Sequence, residues 1–245
     1  MFRELLNRLS ITLPTALIEE LENHKHKQMN QTYLLRFMEW DEIMETTEYM
    51  SEIEVYRDMI PLWTDDHSNY VGLHFRGACK YRISYISHEE TDISPGFRTI
   101  SSFIAALELH PDVGWEELKK DYPSDTERNR RETEEDLNAI NELNHLVQDN
   151  ESIDDDLRCQ YIYSIMALTP NSGLDSLIPY LDDEDMYVQE RACEIMGFHR
   201  YIPAREKLLE ISLSGMHNGK SAAKRALARI KEKQFTEVAN STDKH

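Results

Sequence analysis

Residues able to do chemistry crowd most closely in the stretch SYISHEETDISPGF, residues 84–97. There His88, Glu89, Glu90 and Asp92 set one imidazole and three carboxylates within five positions. Three readings are open: catalysis or metal binding, a surface that holds a partner, or a loop whose charges face water. A helical metal site of the His-Glu-x-x-His kind needs a second imidazole four residues on, so that both rings share one face. Here that position is Asp92, and Ser94-Pro95-Gly96 ends any helix at once. A hard-cation loop alternates oxygen ligands over about a dozen residues and closes on a glutamate, and this stretch stops too soon. Acid–base work by a Glu89/Glu90 pair could draw partners from elsewhere in the chain. Yet no glycine-rich phosphate loop, G-x-S-x-G elbow or Cys-x-x-Cys occurs. The bland reading is a strand-to-helix loop facing water. Binding stands between the two, because recognition residues gather on loops at sheet ends. No catalytic residue, metal or cofactor is expected.

Other candidates are weaker. The run HKHK, His24–Lys27, reads as a polar loop after a helix, and His110, His199 and His217 lack suitably spaced acid or thiol partners. Cys159 and Cys193 fall in apolar helical segments, as small core residues do. The runs DDD and DDEDMY supply helix N-caps and favourable first-turn charge. Three widely spaced cysteines fit reduced thiols in a cytoplasmic protein better than a disulfide framework. No apolar run reaches membrane-spanning length, and MFRELLNRLSITLP carries charges throughout, unlike a secretory signal.

Charge is the most informative bulk property. Twenty-seven basic against 46 acidic residues give −19, which argues against nucleic acid or an anionic membrane as direct ligand. Much of the excess is local. Residues 39–66 hold Glu39, Asp41, Glu42, Glu45, Glu48, Glu52, Glu54, Asp58, Asp65 and Asp66 against Arg57 alone, a net of −9. Such a charge serves solubility, or it draws in a basic protein. The last helical segment is opposite in sign: Lys220, Lys224, Arg225, Arg229, Lys231 and Lys233 against Glu232 give +5. It reads as a polar cap or as a surface that docks onto acid elsewhere.

The elements that must position these residues change period along the chain. Residues 1–23 repeat apolar positions at helical spacing (Phe2, Leu5, Leu6, Leu9, then Leu17, Ile18, Leu21). From residue 69 the period is two: Val71, Leu73 and Phe75 share one face, as do Tyr81, Ile83 and Tyr85, with Gly77 in the intervening turn. This predicts a hairpin with one buried face. Ile100, Phe103, Ile104 and Leu107 then form a helical stripe. Helices flanking a meander of strands make an α+β domain over 1–115. Residues 116–136 are charged and proline-bearing, a linker or connecting helix.

From 137 to 234 the chain is helical and repetitive, with a tail over 235–245. Shifted by thirty residues, Ile165-Met166 falls on Ile195-Met196 and Asp155 on Asp185. The segment LDSLIPYLDDEDMYVQERACEIMGF resembles a HEAT repeat, with Val188 and Ala192 at the spaced positions and Gln189-Glu190-Arg191 where that repeat carries an arginine. The resemblance implies an all-α solenoid of about three stacked helix pairs.

The first half also resembles a family. Leu13-Pro14, Ile60-Pro61, the polar turn Asp65-Asp66-His67-Ser68-Asn69, Val71-Gly72-Leu73, His88-Glu89-Glu90 and Ser102-Phe103 follow the pattern of the SUKH superfamily. That superfamily includes the Smi/Knr-type regulators and many bacterial immunity proteins. The match covers roughly residues 10–109 and departs from the pattern at ENHKHKQMNQTY, which lacks the expected Asn-Gly. The resemblance implies a mixed sheet backed by helices, no enzymatic activity, and toxin neutralisation by occlusion, the toxin often being a nuclease.

A nuclease must be basic to hold a phosphate backbone, so an acidic inhibitor gains steered association. The leading expectation is therefore a non-enzymatic immunity protein for a basic toxin domain, binding neither nucleic acid nor membrane. Its partner-binding residues would be Glu52, Glu54, Asp65, Asp66, His88, Glu89, Glu90 and Asp92. The alternative is an intracellular scaffold or regulator using its solenoid, and a hydrolase built on the glutamate pair is a third reading.

Overall fold

The computed structural model describes residues 2–89, 91–149 and 153–242, with side chains through residue 231. The chain divides into two compact units, one comprising 1–122 and 138–164, the other 123–137 and 165–245.

The first unit is α+β. Strands β1 (Arg36–Phe37), β2 (Met59–Thr64), β3 (Tyr70–His74), β4 (Ile83–Ile86) and β5 (Pro95–Phe97) form a sheet in sequence order. Every neighbouring pair is antiparallel, a meander rather than the mixed sheet expected from the resemblance. The short connections permit nothing else, because a parallel neighbour needs a long crossover. The period-two hairpin is present, with Val71 opposite Tyr85 and Leu73 opposite Ile83. Gly77 takes φ +74° in its turn, a conformation that costs glycine little.

Helices α1 (Phe2–Arg8), α2 (Thr15–Gln28), α3 (Trp40–Ser51) and α4 (Ile100–Leu109) belong to this unit. Their apolar stripes meet Trp63, Val71, Leu73, Ile83 and Phe97 in one core. Trp63 lies edge-on to Phe103 at 4.7 Å and to Phe37 at 5.2 Å. Aromatic pairs in this geometry add about 0.5–1.5 kcal/mol beyond their burial.

The hairpin's second face is buried too, against expectation. His74, Arg82 and Ser84 alternate with the apolar positions, yet all three are buried. His74 Nε2 and Ser84 Oγ lie 2.8 Å apart, so these polar groups satisfy one another across the strands. Gly72 makes room on this face, since a Cβ there would stand 2.9 Å from Met59 Cε.

Part of this second face is covered from residues 138–164, in helices α5 (Arg130–Gln148) and α6 (Asp155–Leu168). Gln160 donates from Nε2 to the Thr91 carbonyl (2.6 Å) and accepts at Oε1 from the Ile93 N–H (3.0 Å), acting as a surrogate strand for 91–93. The expected linker is likewise structured at its start. Just after Trp115, which stacks on Tyr85 at 5.2 Å, Leu118 and Tyr122 are buried, and the N–H groups of Asp121 and Tyr122 donate to the Gly96 carbonyl on the open edge of β5.

Two local expectations are corrected here. HKHK is no loop: nothing in the run breaks a helix, and His24 continues the buried stripe of Ile18 and Leu21 through α2. SPGF does not run straight from strand to helix, because Pro95–Phe97 is the edge strand β5, where proline's missing donor costs least.

The second unit is helical. A 3-10 helix, Asn171–Asp182, precedes α7 (Met186–Phe198), α8 (Arg205–Ser214) and α9 (His217–Thr242). Proline inside the first of these, Pro179, forbids regular α-helical bonding where the repeat pattern wants a second α-helix. Val188 and Ala192 are fully buried. Gln189, in place of the repeat's arginine, donates to the Leu181 carbonyl (3.0 Å) and accepts from the Met216 N–H (3.0 Å), tying three segments together. Arg128 pairs with the fully buried Asp136 and donates to the Leu168 carbonyl at 2.8 Å. None of the three cysteines is in a disulfide, and burial pushes the Cys193 thiol up to about 12. No helix among the described residues is long and apolar enough to cross a membrane.

Candidate functional site: an acidic face

The two loops singled out in the sequence do meet. The turn between β2 and β3 begins with Asp65, whose Oδ1 accepts from the His67 N–H (2.8 Å) and the Asn69 N–H (3.3 Å), while Oδ2 accepts from Asn69 Nδ2 (2.7 Å). Burial pushes the Asp65 carboxyl up, but these donors outweigh it and leave the group below the usual carboxylate range. Asn69 Oδ1 then accepts from the His88 N–H (3.1 Å) and from His88 Nδ1 (2.8 Å), across the end of the sheet. Both contacts on Oδ1 require a donor, so His88 carries a proton on Nδ1. One asparagine thus binds the 65–69 turn to the 87–92 loop.

Each expected contact residue is now placed. Asp66 takes φ +63° and receives Arg36 Nε at 2.9 Å on both oxygens, with Arg36 Nη2 at 2.6 Å. Glu89 is exposed and stands 3.8 Å from His88 Nε2. Asp92 is half-buried and caps the Ser94 N–H at 2.8 Å. Glu90 lies outside the described residues. Glu52 and Glu54 precede the other end of β2, about 17 Å away along the strand, so they do not join this loop cluster. Glu54 stands 3.4 Å from Arg57.

What connects the two ends is α3, whose acidic face the motif reading passed over. Ile43, Thr47 and Met50 are buried at helical spacing, which turns Asp41, Glu45, Glu48 and Glu52 outward together with Tyr49, 67% exposed. The stripe runs about 16 Å. At its start, Glu42 turns aside to Arg36, accepting two hydrogen bonds of 2.8 Å, and its Oε2 also accepts the Glu39 N–H at 2.7 Å. Arg36 beside it holds the Glu42 carboxyl down near 2, against the opposing effect of burial. Lys25 takes Glu39 at 3.0 Å.

The four outward acids, by contrast, have no cation within 4.0 Å among the described residues. The i, i+4, i+7, i+11 spacing of Asp41, Glu45, Glu48 and Glu52 was the available signal. It needed only the phase of the buried stripe to be read.

Two other arrangements suggest chemistry and are closed to it. His24, 1% exposed, shares Nδ1 with Glu108 at 2.9 Å, as a carboxylate orients a catalytic base. Its Nε2, however, lies 2.9 Å from Gln28 Nε2. The Gln28 amide is oriented by the Phe37 N–H (2.6 Å, to Oε1) and the Leu35 carbonyl (3.3 Å, from Nε2), so it donates to the imidazole and leaves no free lone pair. Burial moves the His24 pKa down. Against the second sheet face lies a cavity of about 80 Å³ touching His74, Cys79 and Tyr161. That is below the roughly 300 Å³ at which ligand pockets begin. Burial lowers the His74 pKa to about 4. No group of three His, Cys, Asp or Glu among the described residues is placed to hold a metal. No family model, curated protein or solved structure matches the chain.

Proposed function

We propose that the chain is a non-enzymatic binding protein whose α3 face and adjoining loops hold a basic protein, in the manner of an immunity protein covering a toxin domain. One observation carries this: the outward carboxylates of α3 beyond its first turn stand where they weaken their own helix. Asp41/Glu45 and Glu48/Glu52 are like-charge i, i+4 pairs, and Glu48 and Glu52 sit at the helix C-terminal end, whose last turn carries no basic residue. A surface selected for stability alone would place cations there. A rule broken locally without internal compensation is the mark of a functional surface. The exposed Tyr49 supplies an aromatic anchor amid the charge.

Below the stripe, Arg36 and Asn69 fix Asp66, Asp65 and His88, so the acids at that end are preorganised rather than floppy. This reading takes the first unit for a SUKH-like domain and the second for HEAT-like repeats. The test is capture from the native host with the full chain as bait and mass spectrometry of what is held. A basic protein retained at low salt by the wild type, and lost with Glu45→Lys/Glu48→Lys, supports the reading. Retention by that variant at wild-type strength sinks it.

A further inference from the structure

A groove of about 280 Å³ lies between α7 and α9 in the second unit. Its floor is formed where the helices touch: a Cβ on Gly197 would stand 2.7 Å from the Ala226 Cα, so glycine alone permits this approach. Its walls carry Arg191, Arg225, Arg229 and Glu194, with Phe198, 39% exposed, at the rim.

The charge count inside the groove does not balance. Glu194 bonds Arg225 at 3.0 Å and also stands 3.9 Å from Arg191, while Glu190 reaches Arg225 only at 3.8 Å. Arg229 is exposed and has no acidic partner within 4.0 Å among the described residues. A chain with 46 acidic side chains thus leaves a guanidinium of this groove uncovered.

We propose that this groove is a docking site for an acidic protein segment, one that brings two or more carboxylates to Arg225 and Arg229 and an apolar side chain to Phe198. Guanidinium forks match carboxylates in shape as well as charge. The chain's net −19 does not forbid this, because at physiological salt charges beyond about 8 Å are largely screened and the local excess decides. A nucleic acid fits worse. Its charge extends along the whole polymer and would meet the acidic remainder of the protein, while the groove accommodates only one or two side chains. The proposal stands apart from the reading of α3, which concerns another surface and a partner of opposite charge.

The test is fluorescence anisotropy with full-length protein and a labelled peptide, EWDEIMETTEYMSEIE, the chain's own residues 39–54, which pairs spaced acids with aromatics. Binding is expected with Kd of about 10–100 µM at low salt. It should weaken at least about tenfold in Arg225→Glu/Arg229→Glu, and vanish when every acid of the peptide is replaced by glutamine. Arg229→Glu alone removes no ion pair among the described residues, so its expected loss of about threefold stands even if the double variant folds poorly. Control reversal of Lys80, in the other unit, should leave binding unchanged. Equal binding by wild type and Arg229→Glu overturns the proposal. So does tighter binding, in the same groove, of a single-stranded oligonucleotide of equal charge. Salt-sensitive self-association of the protein that Arg229→Glu abolishes, with no peptide binding, would assign the groove to a second copy and also overturn it.

Discussion

The outward faces of α3 and α9 are built from the same kind of element and carry opposite charge, but they are not mirror images. On α3 the stripe of Asp41, Glu45, Glu48 and Glu52 has no cation within 4.0 Å among the described residues, while Glu39 and Glu42 of the same segment are engaged by Lys25 and Arg36. On α9 the central cation, Arg225, is partly answered by Glu190 and Glu194 from the neighbouring α7, while Lys220, Lys224 and Arg229 have no acidic partner within 4.0 Å among the described residues. Formal charge along a helix therefore says little about its free surface. What counts is which charges the adjacent elements have already taken up. The acidic face is wholly available and costs its helix stability. The basic face is half consumed in holding α7 against α9.

Acid offers the largest way to break the contrast, by dissolving the scaffold under both faces. Each unit hides one imidazole that burial pushes down to about 4, His74 in the first and His199 in the second. A base whose folded pKa lies below its unfolded value of 6.5 supports the fold above 6.5 and loses that support as pH falls toward 4. For His74 alone the loss by pH 4 is of order 3 kcal/mol. Urea unfolding at pH 7, 5 and 4 should show it, and His74→Gln, which keeps a hydrogen bond to Ser84 without titrating, should flatten the slope. An unchanged slope in that variant would remove His74 from the account.

Charge reversal of the acidic stripe comes next. Glu45→Lys/Glu48→Lys should weaken capture of a basic partner by about 100-fold, read by calorimetry, with the partner's salt dependence reduced alongside. Asn69→Ala should follow, costing about 1–2 kcal/mol of stability as the hydrogen bonds joining the two loops are lost. Its effect on partner capture should be smaller than that of the reversal, since α3 itself is untouched.

The finest distinction comes from neutralising single charges. Glu48→Gln or Glu52→Gln should raise stability by about 0.3–0.5 kcal/mol, because repulsion and an unfavourable helix end are relieved. Arg225→Gln should lower it by a similar amount, because a partner of Glu190 and Glu194 disappears. Changes of the same sign on both helices would erase the asymmetry between them.

Much of the fold was legible without coordinates. Alternation over residues 69–86 placed β3 and β4, and the Ile100, Phe103, Ile104, Leu107 stripe placed α4. The second burial surface of the hairpin was not legible. His74, Arg82 and Ser84 look like solvent positions until Gln160 and its neighbours arrive from about seventy residues away. The region taken as a linker hid Tyr122, and Trp115 stands just before it; that these aromatic residues go to Gly96 and Tyr85 no local pattern reveals. Of the candidate residues, those at Asp65 and His88 meet through Asn69, which no spacing in the sequence predicts, while Glu52 and Glu54 belong to the other end of β2.

The amino-acid sequence alone determined the helical and strand periods, the turn at Gly77 and the two regions of opposite charge, because these depend on neighbours within a few positions. Only the tertiary structure decided which charges are spent. Arg36 reaches Asp66 across thirty residues, Asn69 joins His88 across nineteen, and Glu194 is taken by Arg225 across thirty-one. Hydrogen bonds and ion pairs act over about 3–4 Å of space, whatever the separation along the chain. So the exposed carboxylates of α3 became recognisable as unengaged only once the described cations had been placed.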